Sequence, residues 1–136
     1  MILLDTVVLS ELRKARPNPG VVAYLQTHST EAIFLSALTL GEIEAGIERQ
    51  RSTNPVFAAE LEQWLSVLEL QFAPCILPVT PLIAKLWGRL CVQTGNIGTD
   101  NLIAATALCH NLTVVTRDVK HFQPTGVRVF DPFSLV

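Results

Sequence analysis

The segment LTVVTRDVKHF, residues 112–122, decides how the chain is read. Thr113, Val114 and Val115 are β-branched and lie in a short apolar run, the pattern of a strand buried on both faces of a parallel sheet. Thr116, Arg117, Asp118, Lys120 and His121 follow at once, so polar and charged groups gather where the strand ends. A surface turn explains that gathering only if no other strand ends the same way.

Two further segments repeat the pattern. In ILLDTVVLSEL, residues 2–12, Asp5 ends an apolar run, and Val8, Leu9 and Leu12 then follow at helical spacing until RPNPG stops them. In TDNLIAATALCHN, residues 99–111, Asp100 opens a helix that is apolar on most sides and therefore central. Between these segments AIFLSA (32–37) and CILPV (75–79) read as buried strands, and VRVF (127–130) as the last one. Thr39 is expected to open the helix LGEIEAGIERQ. Asn54-Pro55 and Thr80-Pro81 are cap-then-proline signals for two more helices, and Gly95 is placed to end the second of these.

Strands alternating with helices predict an α/β fold: about five short strands in a central parallel sheet, covered by helices on both faces. The 136 residues, 49% of them hydrophobic, suffice for a core without disulfide or metal staples, and they predict one domain over 1–136. Cys75, Cys91 and Cys109 are odd in number and widely separated, without C-x-x-C spacing, and are expected to be reduced thiols filling core space. No basic stretch precedes the first apolar run, and nowhere do ~18 apolar residues follow one another. The sequence therefore predicts a cytoplasmic chain without signal peptide or membrane span. A formal charge of -2 gives no general attraction to polyanions, which leaves any contact with nucleic acid to a local basic face.

In a parallel sheet, ligands sit beyond the carboxyl ends of the strands. Asp5, Glu42 and Asp118 are expected to share that edge, with Asp100 joining them if its helix points at the crevice. Four carboxylates held together raise one another's pKa and oppose folding, which a bound cation relieves. Oxygen donors without paired His or Cys select a hard ion, Mg2+ or Mn2+. Such a site activates water against a phosphodiester. Each acid also has a plainer reading. Thr39-Leu-Gly-Glu42 matches a capping box, and Asp100 and Asp118 would suit helix starts whatever their function. Glu11, Glu44 and Glu48 read as solvated helix faces, and His121 as a surface histidine. Asp5 resists a plain reading, since a carboxylate ending an apolar strand costs desolvation unless it is paired.

The blocks LLDTVVLSELRK, LTLGEIEAGI, TDNLIAATAL and LTVVTRDVKHF, in this order and spacing, resemble the PIN domain family, most closely the VapC toxins of toxin–antitoxin modules and their FitB-like relatives. The resemblance runs from Ile2 to about Phe133. It implies a PIN-like fold and assigns Asp5, Glu42, Asp100 and Asp118 as the acids that bind Mg2+ or Mn2+ for endoribonuclease activity, with Thr6 and Thr116 as supporting hydroxyls. It implies further a VapB-like antitoxin as partner, a homodimer, and contact with operator DNA only through the antitoxin. Many relatives have Asn where this chain has Val7, and many FitB-like relatives have Asn where it has Asp118. Arg13, Lys14, Arg16, Arg89, Arg117 and Lys120 are candidate contacts for RNA phosphates flanking the cleavage point.

Two rivals accompany that reading. One is a catalytically weak binding module acting with an antitoxin-like partner on operator DNA, which Val7 favours. The other is a phosphotransfer domain using Asp5 as nucleophile; such sites want a second acid close by or a lysine late in the chain, and the missing D-x-D spacing at Asp5-Thr6-Val7 disfavours it.

Overall fold

Residues 1–134 are described by the computed structural model, and local side-chain chemistry sets most of the element boundaries within them. Strand β1 (Ile2–Leu4) runs directly into helix α1 (Thr6–Leu12), and helix α2 (Pro19–Gln26) follows. Asn18 starts α2 by accepting the amides of Gly20 and Val21 at 2.9 and 3.2 Å. Strand β2 (Ile33–Ser36) leads into α3 (Ala37–Arg51), and α4 (Pro55–Phe72) returns antiparallel to it. After β3 (Ile76–Leu77) come α5 (Pro81–Thr94), α6 (Thr99–His110), β4 (Thr113–Val115), α7 (Val119–Phe122) and β5 (Val129–Phe130). Asn54 and Thr80 cap α4 and α5 by accepting the Phe57 and Ile83 amides, each at 3.2 Å. Gly95 closes α5 at a φ of 73°, a left-handed conformation that favours glycine.

One boundary differs from the sequence expectation. Ser36, not Thr39, caps α3, its hydroxyl accepting the Leu38 amide at 3.1 Å. The strand runs into the helix without a loop, so the earlier hydroxyl takes the capping position. Thr39 is left inside the helix, fully buried, with its Oγ1 unpaired. The capping-box explanation for Glu42 fails with it.

The five strands are parallel, in the order β3-β2-β1-β4-β5. Right-handed crossovers then dictate the layers, because connections that progress in opposite directions along a sheet lie on opposite faces. Ile2, Leu4, Ile33, Leu35 and Val115 pack with α1 to α4 on one face, through Val8, Leu9, Val21, Ile43, Ile47, Leu65 and Leu68. Leu3 and Val114 face the other way, toward Ile83 and Leu90 of α5, Ile103 and Ala104 of α6, and Phe122 of α7. Each fully buried Leu or Phe contributes roughly 1.5–3 kcal/mol of transfer free energy, so both faces are needed to offset the ordering of the chain. No described helix is long and apolar enough to cross a membrane. Cys75, Cys91 and Cys109 are free thiols; Cys75 is buried and Cys109 packs against the second core, as expected, whereas Cys91 is only partly buried.

The far end of the α3–α4 hairpin carries a different device. Arg51 bonds Glu48 at 2.7 Å, lies 3.8 Å from Glu44 and bonds Glu62 of α4. Glu44 and Glu48, one helical turn apart on an exposed face, share this cation.

Candidate active site

Strand order reverses direction at β1, whose neighbours are β2 on one side and β4 on the other. That is the switch point where an open α/β sheet forms its crevice. Asp5 stands at its floor, only 6% exposed. Its backbone amide bonds the Val115 carbonyl at 3.0 Å, extending the β1–β4 ladder by one residue. Its Oδ1 accepts the Thr6 amide at 2.9 Å and its Oδ2 the Thr116 hydroxyl at 2.7 Å. Thr116 in turn accepts the Asp118 amide at 3.0 Å, which fixes the turn after β4.

Glu42 reaches the same place from the second turn of α3. Its Oε1 accepts the Thr6 hydroxyl at 2.7 Å and its Oε2 the Thr99 hydroxyl at 3.3 Å. Asp100 is half-buried in the first turn of α6, with its Oδ2 3.7 Å from Nδ1 of His121. Asp118 caps the short α7 by position only, since its side chain makes no capping bond. Its plainer reading, a carboxylate favoured at a helix start, agrees with that position.

The electrostatics follow from this crowding. Burial pushes the Asp5 carboxyl up to about 6; bonds from Thr116 and Thr6 oppose the rise, and the charges of Asp100 and Glu42 add to it. Burial also raises Asp100, with His121 opposing and Asp118 and Glu42 reinforcing. The crevice therefore holds four carboxylates in electrostatic reach of their neighbours. Among the described residues, no three acidic, histidine or cysteine side chains converge into a ready metal cage. An all-oxygen set of this openness fits Mg2+ or Mn2+: Mg2+ keeps several water ligands and takes only one or two carboxylates. Asp5, Asp100, Glu42 and Asp118 are the residues that would hold such an ion.

The basic residues divide into two groups. Lys14 is committed to Glu11 at 2.9 Å, and the Arg13 guanidinium lies 5.2 Å over the Phe57 ring. Arg16 and Arg89 are exposed. Arg117 and Lys120, by contrast, line a cleft of about 310 Å3 beside the acids, together with Asp118, His121 and Asp131. Arg117 is held there by stacking 3.8 Å over Phe133.

Glu11 corrects another expectation. It is buried, not solvated, and is tied to Lys14 and to the Asn18 amide at 2.9 Å, which holds its carboxyl below the ordinary range. It pins the α1–α2 loop and takes no part in the crevice. Val7 is half-buried and packs into the first core. Thr99 was not singled out from the sequence, His121 reads there as a surface histidine, and the fully buried Asn101 was not singled out either. The first two follow from which strand ends meet, and a buried Asn in an apolar helix is the only signal for the third. A second cleft, of about 220 Å3, opens from Thr6 and Glu42 along α1, α3 and α4 to Phe57, Leu61 and Trp64.

A doubly covered parallel sheet with an acid-lined crevice at its switch point defines the class of fold and site. The sequence pattern of the PIN domain family matches residues 2–125, and the chain belongs to that family. It is 39% identical to a protein named toxin FitB from Neisseria gonorrhoeae, over 98% of this chain and 99% of that one. It is 34% identical to VapC ribonuclease Y4jK from Sinorhizobium fredii over the same shares. A solved structure of FitAB bound to an IR36 DNA fragment superposes with a TM-score of 0.87 at 34% identity, covering 100% of this chain and 98% of that one.

Proposed function

We propose that the chain is an endoribonuclease dependent on Mg2+ or Mn2+, a VapC-type toxin held in check by a cognate antitoxin. The observation that carries this reading is Asp5: a nearly buried carboxylate, locked by Thr6 and Thr116 and crowded by Asp100 and Glu42, which a hard cation would relieve. The ion would activate water and stabilise the leaving oxygen of a phosphodiester. Asp5, Asp100 and Asp118 orient it, and Glu42 holds the Thr6 and Thr99 hydroxyls while adding negative charge. Arg117 and Lys120 take a phosphate flanking the scissile one, in the cleft beside Asp118. Arg13, Lys14, Arg16 and Arg89 are the weaker half of the candidate rim, the first two because their charges are already engaged.

Resemblance to the FitAB complex supports an antitoxin partner, with operator DNA reached through that partner. The cleft ending at Glu42 suits a segment of the partner, apolar against Phe57, Leu61 and Trp64. Exposed Leu82 and Val92 on α5 support a homodimer. RNA as substrate and three free thiols agree with a cytoplasmic location.

The test is cleavage of a mixed pool of structured RNAs by wild type and Asp100→Asn, each with Mn2+ and with chelator. Cleavage that needs the metal and disappears in the variant is expected. Equal behaviour of the two proteins would overturn the reading. It would instead select a binding module acting with a partner on DNA, the alternative favoured by Val7 facing the core.

A further inference from the structure

Asp100 needs an anchor. It lies in the first turn of α6, whose N-cap residue, Gly98, has no side chain to cap the helix. The restraint comes from Asn101, 1% exposed. Its Nδ2 donates to the Thr94 hydroxyl at 2.9 Å and to the Asn96 carbonyl at 2.5 Å. Thr94 Oγ1 donates to the Leu90 carbonyl at 2.8 Å and accepts the Asn96 amide at 3.3 Å. Asn96 Oδ1 accepts the Gly98 amide at 2.8 Å, and a Cβ on residue 98 would lie 3.1 Å from that oxygen, so glycine allows the close approach. The last turn of α5 is thus knotted to the first turn of α6, immediately around Thr99 and Asp100.

Asn101 Oδ1 is buried without a partner among the described residues. The side chain is therefore held through its Nδ2 alone, by the end of α5 and the loop that precedes α6. We infer that Asn101, through Thr94 and Asn96, is a positioning residue that sets where Asp100 and Thr99 stand in the crevice. The inference rests on the metal-site reading above, but its mechanical half, the anchoring of residues 96–101, stands apart from it.

The experiment compares wild type, Asn101→Ala, Thr94→Val, their double variant and Thr94→Ser. Free Mn2+ is titrated by electron paramagnetic resonance, and amide hydrogen exchange is followed over residues 96–101 and over β1 and β4. Asn101→Ala and Thr94→Val should each weaken Mn2+ binding by at least about tenfold, the scale for residues that orient metal ligands. The double variant should be no worse than the poorer single one, as for partners in one network. Thr94→Ser, which keeps the hydroxyl, should match wild type. Amides 96–101 should exchange faster while those of β1 and β4 stay protected. Unchanged Mn2+ affinity in both single variants, with wild type binding, overturns the inference. If wild type binds no Mn2+, the metal-site reading fails by itself, and exchange decides: faster exchange confined to 96–101 upholds the anchor, and unchanged exchange removes it. Should Asn101→Ala fail to fold, Thr94→Val decides by the same readings.

Discussion

Two clusters of acids lie at opposite ends of α3 and are treated in opposite ways. At its C-terminal end Arg51 gathers exposed Glu48, Glu62 of α4 and, one turn further back, Glu44, and Glu48 and Glu62 reinforce its charge. Near its N-terminal end Glu42 joins buried Asp5, half-buried Asp100 and exposed Asp118, and the basic side chain within 4 Å of them among the described residues is the His121 ring, 3.7 Å from Asp100. Acids that serve the fold are supplied with a cation from the chain. The crevice acids have no arginine or lysine within 4 Å among the described residues, and burial and mutual repulsion raise the carboxyls of Asp5 and Asp100.

The sharpest way to break that contrast is to neutralise one acid in each cluster. Asp100→Asn should lower RNA cleavage by about 10²–10³-fold, the scale for losing one electrostatic contact with a transition state. Glu48→Gln should leave cleavage unchanged. Equal losses measured in a single-turnover assay would erase the distinction.

The next effect is on stability and has an unusual sign. The Asp5 carboxyl titrates at about 6 when folded and at 3.8 ordinarily. The folded state therefore holds the proton more tightly. The stabilisation this brings is fully present below 3.8 and is lost as pH rises through 6, a difference of roughly 3 kcal/mol. Metal-free protein should gain melting temperature between pH 7 and pH 5 by this contribution, and Asp5→Asn should flatten the profile and raise the value at pH 7. A variant less stable than wild type at pH 7 in calorimetry would show that Asp5 serves the fold after all.

Metal should reverse that penalty. Mn2+ at a hundred times its dissociation constant should stabilise wild type by about 2.7 kcal/mol and Asp5→Asn by much less. Thermal denaturation with and without Mn2+ reads this directly, and equal gains would place the ion elsewhere. The smallest effect belongs to the other cluster: Arg51→Ala should barely move the melting temperature, since exposed ion pairs are screened and flexible. A large drop would make the hairpin pairing structural in earnest.

How much of this was legible depended on whether a signal was local. Asn54-Pro55, Thr80-Pro81 and Gly95 declare helix ends through chemistry completed within four residues, and all three hold. Asp5, Asp100 and Asp118 announce themselves by interrupting apolar runs. Ser36 against Thr39 was not decidable from spacing, because two hydroxyls compete and the winner depends on how tightly strand and helix join. Glu11 looked solvated because its partner, the Asn18 amide, belongs to a loop whose path no periodicity reveals. Thr99 meets Glu42 across 57 positions, and that contact exists only once α3 and α6 converge on the same crevice.

The hydrogen bond from Thr116 to Asp5 spans 111 positions of the chain. Its consequence lies in the order of synthesis. The first strand to leave the ribosome is the central one, and one of its edges stays open until β4 follows more than a hundred residues later. Such long-range parallel pairing is slow to form and exposes the unfinished sheet meanwhile. The crevice is assembled by the same closure, so a growing chain carries Asp5 and Glu42 long before Asp100 and Asp118 arrive to complete it. The architecture therefore completes the crevice only once β4 has been made.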